Sequence, residues 1–210
     1  MRKLDLRKEL RAFYSPSARK PELIDVPEFK YAMAEGSVRP GQSPGESKEF
    51  QQAIGALYAV SYTLKFMSKL AAERPIDYPV MPLEALWWTE GGEFDLSGRS
   101  PWLWRAMILQ PAHITARMFR QAVQRAKERG DNPTLDTIRL RAFREGLCVQ
   151  VLHIGPYSEE PATIERLKAF ARENGYRLRG KHHEIYLGDP RRAKPERLRT
   201  ILRHPVSPRR

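Results

Sequence analysis

The sequence predicts an α+β fold, with antiparallel strands and one long helix from each of two halves packed on them. Three observations predict it. Two stretches, 47–70 and 162–174, carry apolar residues at helical spacing. Short apolar or alternating runs, punctuated by Gly and Pro, stand on either side of each helix. The order strand, strand, helix, strand, strand occurs twice, so Leu83-Glu84-Ala85-Leu86-Trp87 corresponds to His183-Glu184-Ile185-Tyr186-Leu187. The expectation is two β-β-α-β-β units, about 21–111 and 136–205, making one concave antiparallel sheet with a central ligand groove.

The elements follow in order. Residues 1–20 read as a short amphipathic helix (Leu4, Leu6, Leu10, Phe13) and an arm. Glu22 to Asp25 and Phe29 to Ala34 read as two strands broken at Val26-Pro27, and 36–45 as a loop. The helix over 47–70 places Phe50, Ile54, Leu57, Tyr58, Ser61, Leu64 and Met67 on one stripe. Tyr78 to Trp88 and Trp102 to Leu109 are strands joined by the polar connection 89–100, and a second helix covers 115–129. Ile138 to Phe143 and Leu147 to Ile154 read as a hairpin around Glu145-Gly146. The helix over 162–174 buries Ile164, Leu167 and Phe170/Ala171 and stops at Gly175. A strand runs from Lys181 until Asp189-Pro190 ends it, and 195–202 is a turn of helix or a last strand. One domain over 21–205 is expected, with the arm 1–20 before it and a loose tail over 206–210.

Composition narrows the function. Hydrophobic residues make up 41% of 210, enough for a core. No apolar run reaches the ~20 residues of a membrane span, and the charged N-terminus does not read as a signal segment. Cys148 is the single cysteine, which excludes an internal disulfide and suits a reducing cytoplasm. Net charge is +12, but the cations are spread along the chain and match no nucleic-acid-binding motif, so neither nucleic acid nor membrane is expected as a partner. Oligomeric state is open.

The candidate chemistry rests on carboxylates among aromatic rings. In the strand 182–186, His182, Glu184 and Tyr186 point one way and His183 and Ile185 the other. A carboxylate in an apolar site needs a cation, a donor or water as compensation. Glu184 could therefore attract a cationic or flat electron-poor ligand, or act as a base on water or an acid on a leaving group. Glu84 shares a face with Leu86 and Trp88, and the repeat would place it in a position equivalent to Glu184, facing a shared groove. Trp87, Trp88, Trp102 and Trp104 stand on adjacent strands, with Tyr58 and Tyr62 one helical turn apart, all able to stack flat ligands. No metal or other cofactor is expected: His182-His183-Glu184 lacks the second histidine of a zinc-protease helix, since residue 187 is Leu. No phosphate loop is present, and Cys148 reads as a buried small residue.

Several stretches are similar to a known family. His153-Ile154-Gly155-Pro156-Tyr157-Ser158-Glu159-Glu160, Gly180-Lys181-His182-His183-Glu184-Ile185-Tyr186-Leu187 and Asp189-Pro190-Arg191-Arg192 resemble the GyrI-like small-molecule-binding family. So do Met81-Pro82-Leu83-Glu84-Ala85-Leu86-Trp87-Trp88 and Met107-Ile108-Leu109-Gln110-Pro111 in the first half. The resemblance implies a duplicated SHS2-type fold with a central glutamate, matched here by Glu184, that meets cationic or flat aromatic hydrophobic molecules. It is greatest to a branch that hydrolyses the strained cyclopropane of DNA-alkylating compounds, which implies Glu184 and Tyr186 as the catalytic pair. Glu84, Trp88, Trp104, Tyr58, Tyr62, His183, Tyr157 and Met81 complete the candidate ligand-binding set. A binding module or sensor without chemistry is the alternative, and a protein that binds gyrase or nucleic acid is a third reading.

Overall fold

The computed structural model describes residues 1–91 and 100–209. The arm holds β1 (Arg2–Lys3), α1 (Leu6–Glu9) and α2 (Arg11–Tyr14). The first half then has β2 (Glu22–Val38), α3 (Lys48–Lys69), β3 (Ile76–Asp77), β4 (Leu83–Trp88) and β5 (Trp102–Gln110). Between the halves lie α4 (Ala116–Lys127) and α5 (Thr134–Thr137). The second half has β6 (Arg139–Ile154), a 3-10 turn (Tyr157–Glu159), α6 (Glu160–Glu173), β7 (Tyr176–Leu178), β8 (His182–Tyr186), a second 3-10 turn (Pro195–Arg197) and β9 (Arg199–Pro208).

Six strands close into an antiparallel ring, β6-β2-β5-β4-β8-β9 and back to β6, so the sheet curls into a barrel-like form. The halves are arranged alike, as β2-β5-β4 and β6-β9-β8, and they join through like strands, β2 to β6 and β4 to β8. The duplicated unit is therefore strand, helix, strand, strand. The two breaks expected inside the first strand of each half do not occur. Pro27 sits within continuous β2, beyond the reach of β5, where that strand has one open side and a proline is tolerated. Glu145-Gly146 is no hairpin turn either: β6 runs through it, still pairing with β2. Gly146, at φ +78°, marks a local irregularity instead. Glu145 and Gln150 both reach Arg203, although an odd step of five residues on a regular pleat would put them on opposite faces.

Three further expectations change. Gly36 belongs to β2 rather than to a loop; a Cβ there would lie 2.4 Å from the Trp104 ring, so glycine is what lets that tryptophan lie across the strand. Tyr78 precedes β4 instead of starting it. Residues 206–208, expected to be loose, pair with β7, and Val206 is buried. Part of the connection between β4 and β5, residues 92–99, and tail residue 210 lie outside the described residues.

Helices cover the outside of the ring. Ser47 caps α3 by accepting from the Phe50 N–H, and Thr115 caps α4 by accepting from that of Met118. Helix α3 lays Phe50, Leu57, Val60 and Leu64 on the outward side chains of the first half, with the Phe50 ring 5.1 Å from those of Trp87 and Trp104. Helix α6 lays Ile164, Leu167 and Ala171 on Val149, Val151, Leu202 and Val206 of the second. Each such burial contributes roughly 1.5–3 kcal/mol for a large aliphatic side chain. The joint of β4 with β8 lies between the areas covered by the two helices. Inside the ring, the arm lies against the strands through Leu6, Tyr14 and backbone contacts at residues 12–17.

Candidate functional site between the two long helices

Pairing of β4 with β8 sets which side chains meet. Ala85 lies opposite Glu184, Leu83 opposite Tyr186, and Trp87 opposite His182, all facing outward; Glu84, Leu86, His183 and Ile185 face into the ring. Glu184 is thus carried by a central strand onto the outer surface, with its side chain 13% exposed. The Tyr186 hydroxyl donates to Glu184 Oε2 at 2.6 Å and accepts from the Trp87 indole N–H at 3.1 Å. His182 Nε2 lies 3.4 Å from the other carboxylate oxygen. Among the described residues no Arg or Lys pairs with Glu184, an unusual condition in a chain with 37 such cations.

Aromatic rings and a second carboxyl complete the surroundings. Tyr157, before α6, meets the Tyr186 ring edge-on at 6.0 Å. Tyr58 reaches from α3 to the backbone of Leu83, at the other side of the joint. Glu160, the first residue of α6, is buried beside Thr200, the β9 partner of Tyr186. Burial, then the charge of Glu184, pushes the Glu160 carboxyl up to about 9, so it keeps its proton at neutral pH. The same two causes push the Tyr157 hydroxyl up to about 12 and raise that of Tyr186 well beyond its ordinary value.

Inside the ring a different cluster forms. His183 Nδ1 lies 3.0 Å from Glu145 Oε2, and Nε2 lies 3.0 Å from Glu84 Oε2, an ion-pair contact not aligned as a hydrogen bond. Arg203 reaches Glu145 at 3.4 Å and the Gln150 side-chain oxygen at 2.9 Å. The Tyr14 hydroxyl donates to Glu84 Oε1 at 2.6 Å. Burial opposes the His183 charge, but Glu145 and Glu84 outweigh it and raise that imidazole to about 9. Burial opposes the Glu145 charge too, yet His183 and Arg203 bring it down to about 2. Among the described residues, two carboxyl groups therefore face one imidazole and one guanidinium within the ring.

A family model for the GyrI-like small molecule binding domain matches residues 112–207, the stretch that contains β6, α6, β8 and β9. A protein from Listeria innocua of known structure is 42% identical over 97% of this chain and 100% of its own, with a TM-score of 0.85. The chain belongs to the GyrI-like family. A second Listeria innocua structure, described as a hydrolase, is 41% identical over 98% of this chain and 100% of its own, with a TM-score of 0.83. The C-terminal domain of EcmrR shares the GyrI-like fold at 13% identity, over 90% of this chain and 98% of its own, with a TM-score of 0.54. None of the curated proteins matches the chain.

On the GyrI-like scaffold the candidate residues separate. Tyr186, Tyr157 and Tyr58 gather around the Glu184 strand pair. Glu84 and His183 do not: register places Glu84 opposite Ile185, one residue off the sequence equivalence, so it points into the ring and shares no groove with Glu184. Trp104 is buried beneath Phe50, and Met81 is buried ahead of β4. Trp88 lies on the ring-interior parity of β4, with the Lys181 ammonium 3.2 Å from its ring centroid. Tyr62 is exposed on α3, 6.3 Å from Tyr58. A cavity of about 570 Å³ opens between the arm and the start of α6, lined by Leu152, Ile154, Ser158, Glu159 and Arg166 but not by Glu184. Sequence reasoning missed Glu160 as a neighbour of Glu184; its signal was the Glu159-Glu160 pair after Gly155-Pro156-Tyr157. It also missed Glu145, hidden by its apparent place in a turn. No helix among the described residues is long and apolar enough to cross a membrane.

Proposed function

We propose that the protein binds flat aromatic or cationic hydrophobic molecules over Glu184 and hydrolyses electrophilic ones, opening the strained cyclopropane of DNA-alkylating compounds in the cytoplasm. The observation that carries this reading is Glu184 itself: a mostly buried carboxylate, held by the Tyr186 hydroxyl, with no Arg or Lys partner among the described residues. A carboxylate so placed attracts cationic or electron-poor rings and, through its remaining lone pairs, orients water. The Trp87 N–H fixes the Tyr186 hydroxyl, which in turn fixes one carboxylate oxygen. Tyr157 and Tyr58 supply ring faces on either side. Two Listeria innocua structures at 40% and 41% identity are described as hydrolases, which favours chemistry over storage.

In this mechanism Glu184 takes a proton from water as the water attacks the strained carbon. General-base help of this kind is worth ~10²–10⁴-fold. Binding without chemistry is the second reading, favoured by the same carboxylate, which has no Arg or Lys partner among the described residues and suits lipophilic cations. Incubation with a spirocyclopropyl dienone, followed by mass spectrometry, distinguishes the two. Turnover to the water adduct by the native protein, lost in Glu184→Gln, supports hydrolysis. Saturable binding with the compound recovered intact supports the binding module.

A further inference from the structure

We propose that Glu160 is a second catalytic carboxyl of this site: it carries the proton that the ligand takes up while Glu184 accepts the proton of the attacking water. The inference rests on the hydrolytic reading above and assigns the other half of its proton transfer.

Burial, an unpartnered carboxyl oxygen and strand pairing stand beside the titration in its support. Glu160 is 5% exposed, and its Oε1 has no hydrogen-bond partner among the described residues. Its contact with Thr200 places it over the outer side of β9, where Thr200 pairs with Tyr186, and Tyr186 donates to Glu184. The groups facing it are Glu184 and Tyr186 from β8, Tyr157 from the preceding turn and Thr200 from β9. No described Arg or Lys forms an ion pair with it. Two neighbouring buried carboxyls without a cation cannot both be charged at modest cost. Glu184 has the Tyr186 hydroxyl as a donor, and Glu160, whose Oε1 has none among the described residues, is the member pushed up, to about 9. One acid and one base side by side is the arrangement that ring opening needs.

The step balances. A water oxygen bonds to the ring carbon and its proton passes to Glu184. The C–C bond of the three-membered ring breaks, and its electron pair moves through the conjugated ring to the carbonyl oxygen. That oxygen takes the proton of Glu160. The proton on Glu184 then returns to Glu160 through solvent, and the net change is addition of water.

The test compares native protein, Glu160→Gln and Glu184→Gln on a spirocyclopropyl dienone, with kcat and KM measured from pH 5 to 10. Native kcat falls as pH rises through about 9, the value set by Glu160. Glu160→Gln lowers kcat by about 10²-fold, leaves KM within about twofold and loses that alkaline limb. Equal kcat and an unchanged alkaline limb in Glu160→Gln overturn the role of Glu160 while leaving hydrolysis intact. No turnover by native protein overturns both. Carbon-13 NMR of glutamate-labelled native protein needs no variant to fold: a carboxyl protonated at pH 7 and titrating near 9 supports the assignment, and full ionisation of every glutamate at pH 7 overturns it.

Discussion

The two faces of one strand pair, β4 with β8, hold two acid clusters of opposite character. Inward, Glu84 and Glu145 meet His183 and Arg203, and the charges cancel. Outward, Glu184 and Glu160 meet tyrosines, Thr200 and His182, and no Arg or Lys among the described residues. Adjacent residues of one strand, His183 and Glu184, supply one member to each. The difference teaches how to tell support from function. Inside, each buried acid or base among the described residues has an opposite partner, which ties the arm, β4, β6, β8 and β9 together. Outside, in the function proposed above, the charge is left for a ligand to answer.

The comparison can be broken or sharpened by substitution. The largest effect is expected outside: Glu184→Gln lowers turnover ~10²–10⁴-fold, while its urea midpoint stays at or slightly above that of native protein, because Glu160 no longer has to hold a proton against the charge of Glu184. Inside, His183→Ala leaves Glu145 to Arg203 alone and Glu84 to Tyr14 alone, and costs about 3–5 kcal/mol of stability by denaturant titration. Tyr14→Phe removes one donor to Glu84 and costs about 1.5–3 kcal/mol, loosening the arm first, as hydrogen exchange at residues 10–17 would report.

The smallest effect is a pH slope. His183 is raised to about 9, so its stabilisation is full below 6.5 and is lost as pH climbs through 9. Glu145 is lowered to about 2, so its contribution is present above 4.5 and is lost as pH falls towards 2. The inner cluster alone is thus level between 4.5 and 6.5. Glu160, raised to about 9, binds a proton in the folded state that the unfolded chain releases above 4.5, so it lowers stability from 4.5 upward. Native protein should therefore lose more stability than Glu160→Gln between pH 4.5 and 6.5.

Much of this was legible in the sequence, for physical reasons. Strand alternation placed Glu184 with Tyr186 and His183 with Ile185, because a pleat has period two. The long helices announced themselves through Phe50, Leu57 and Leu64, and through Ile164 and Leu167. What stayed hidden was long-range. Pro27 and Gly146 look like breaks until it is known that β5 stops short and that β6 tolerates a left-handed residue. The equivalence of Glu84 and Glu184 held along the sequence but not across the ladder, where a register one residue off turned Glu84 inward. Glu160 required knowing where the first turn of α6 lands.

The most direct test sets one variant from each cluster side by side: turnover per folded molecule for Glu184→Gln and for Glu84→Gln, with the folded fraction read by denaturant titration in the same samples. The outer variant should be folded and inactive, the inner one destabilised and, where folded, active. Full turnover by Glu184→Gln, or loss of activity in fully folded Glu84→Gln alone, would contradict the assignment of function to the outer face.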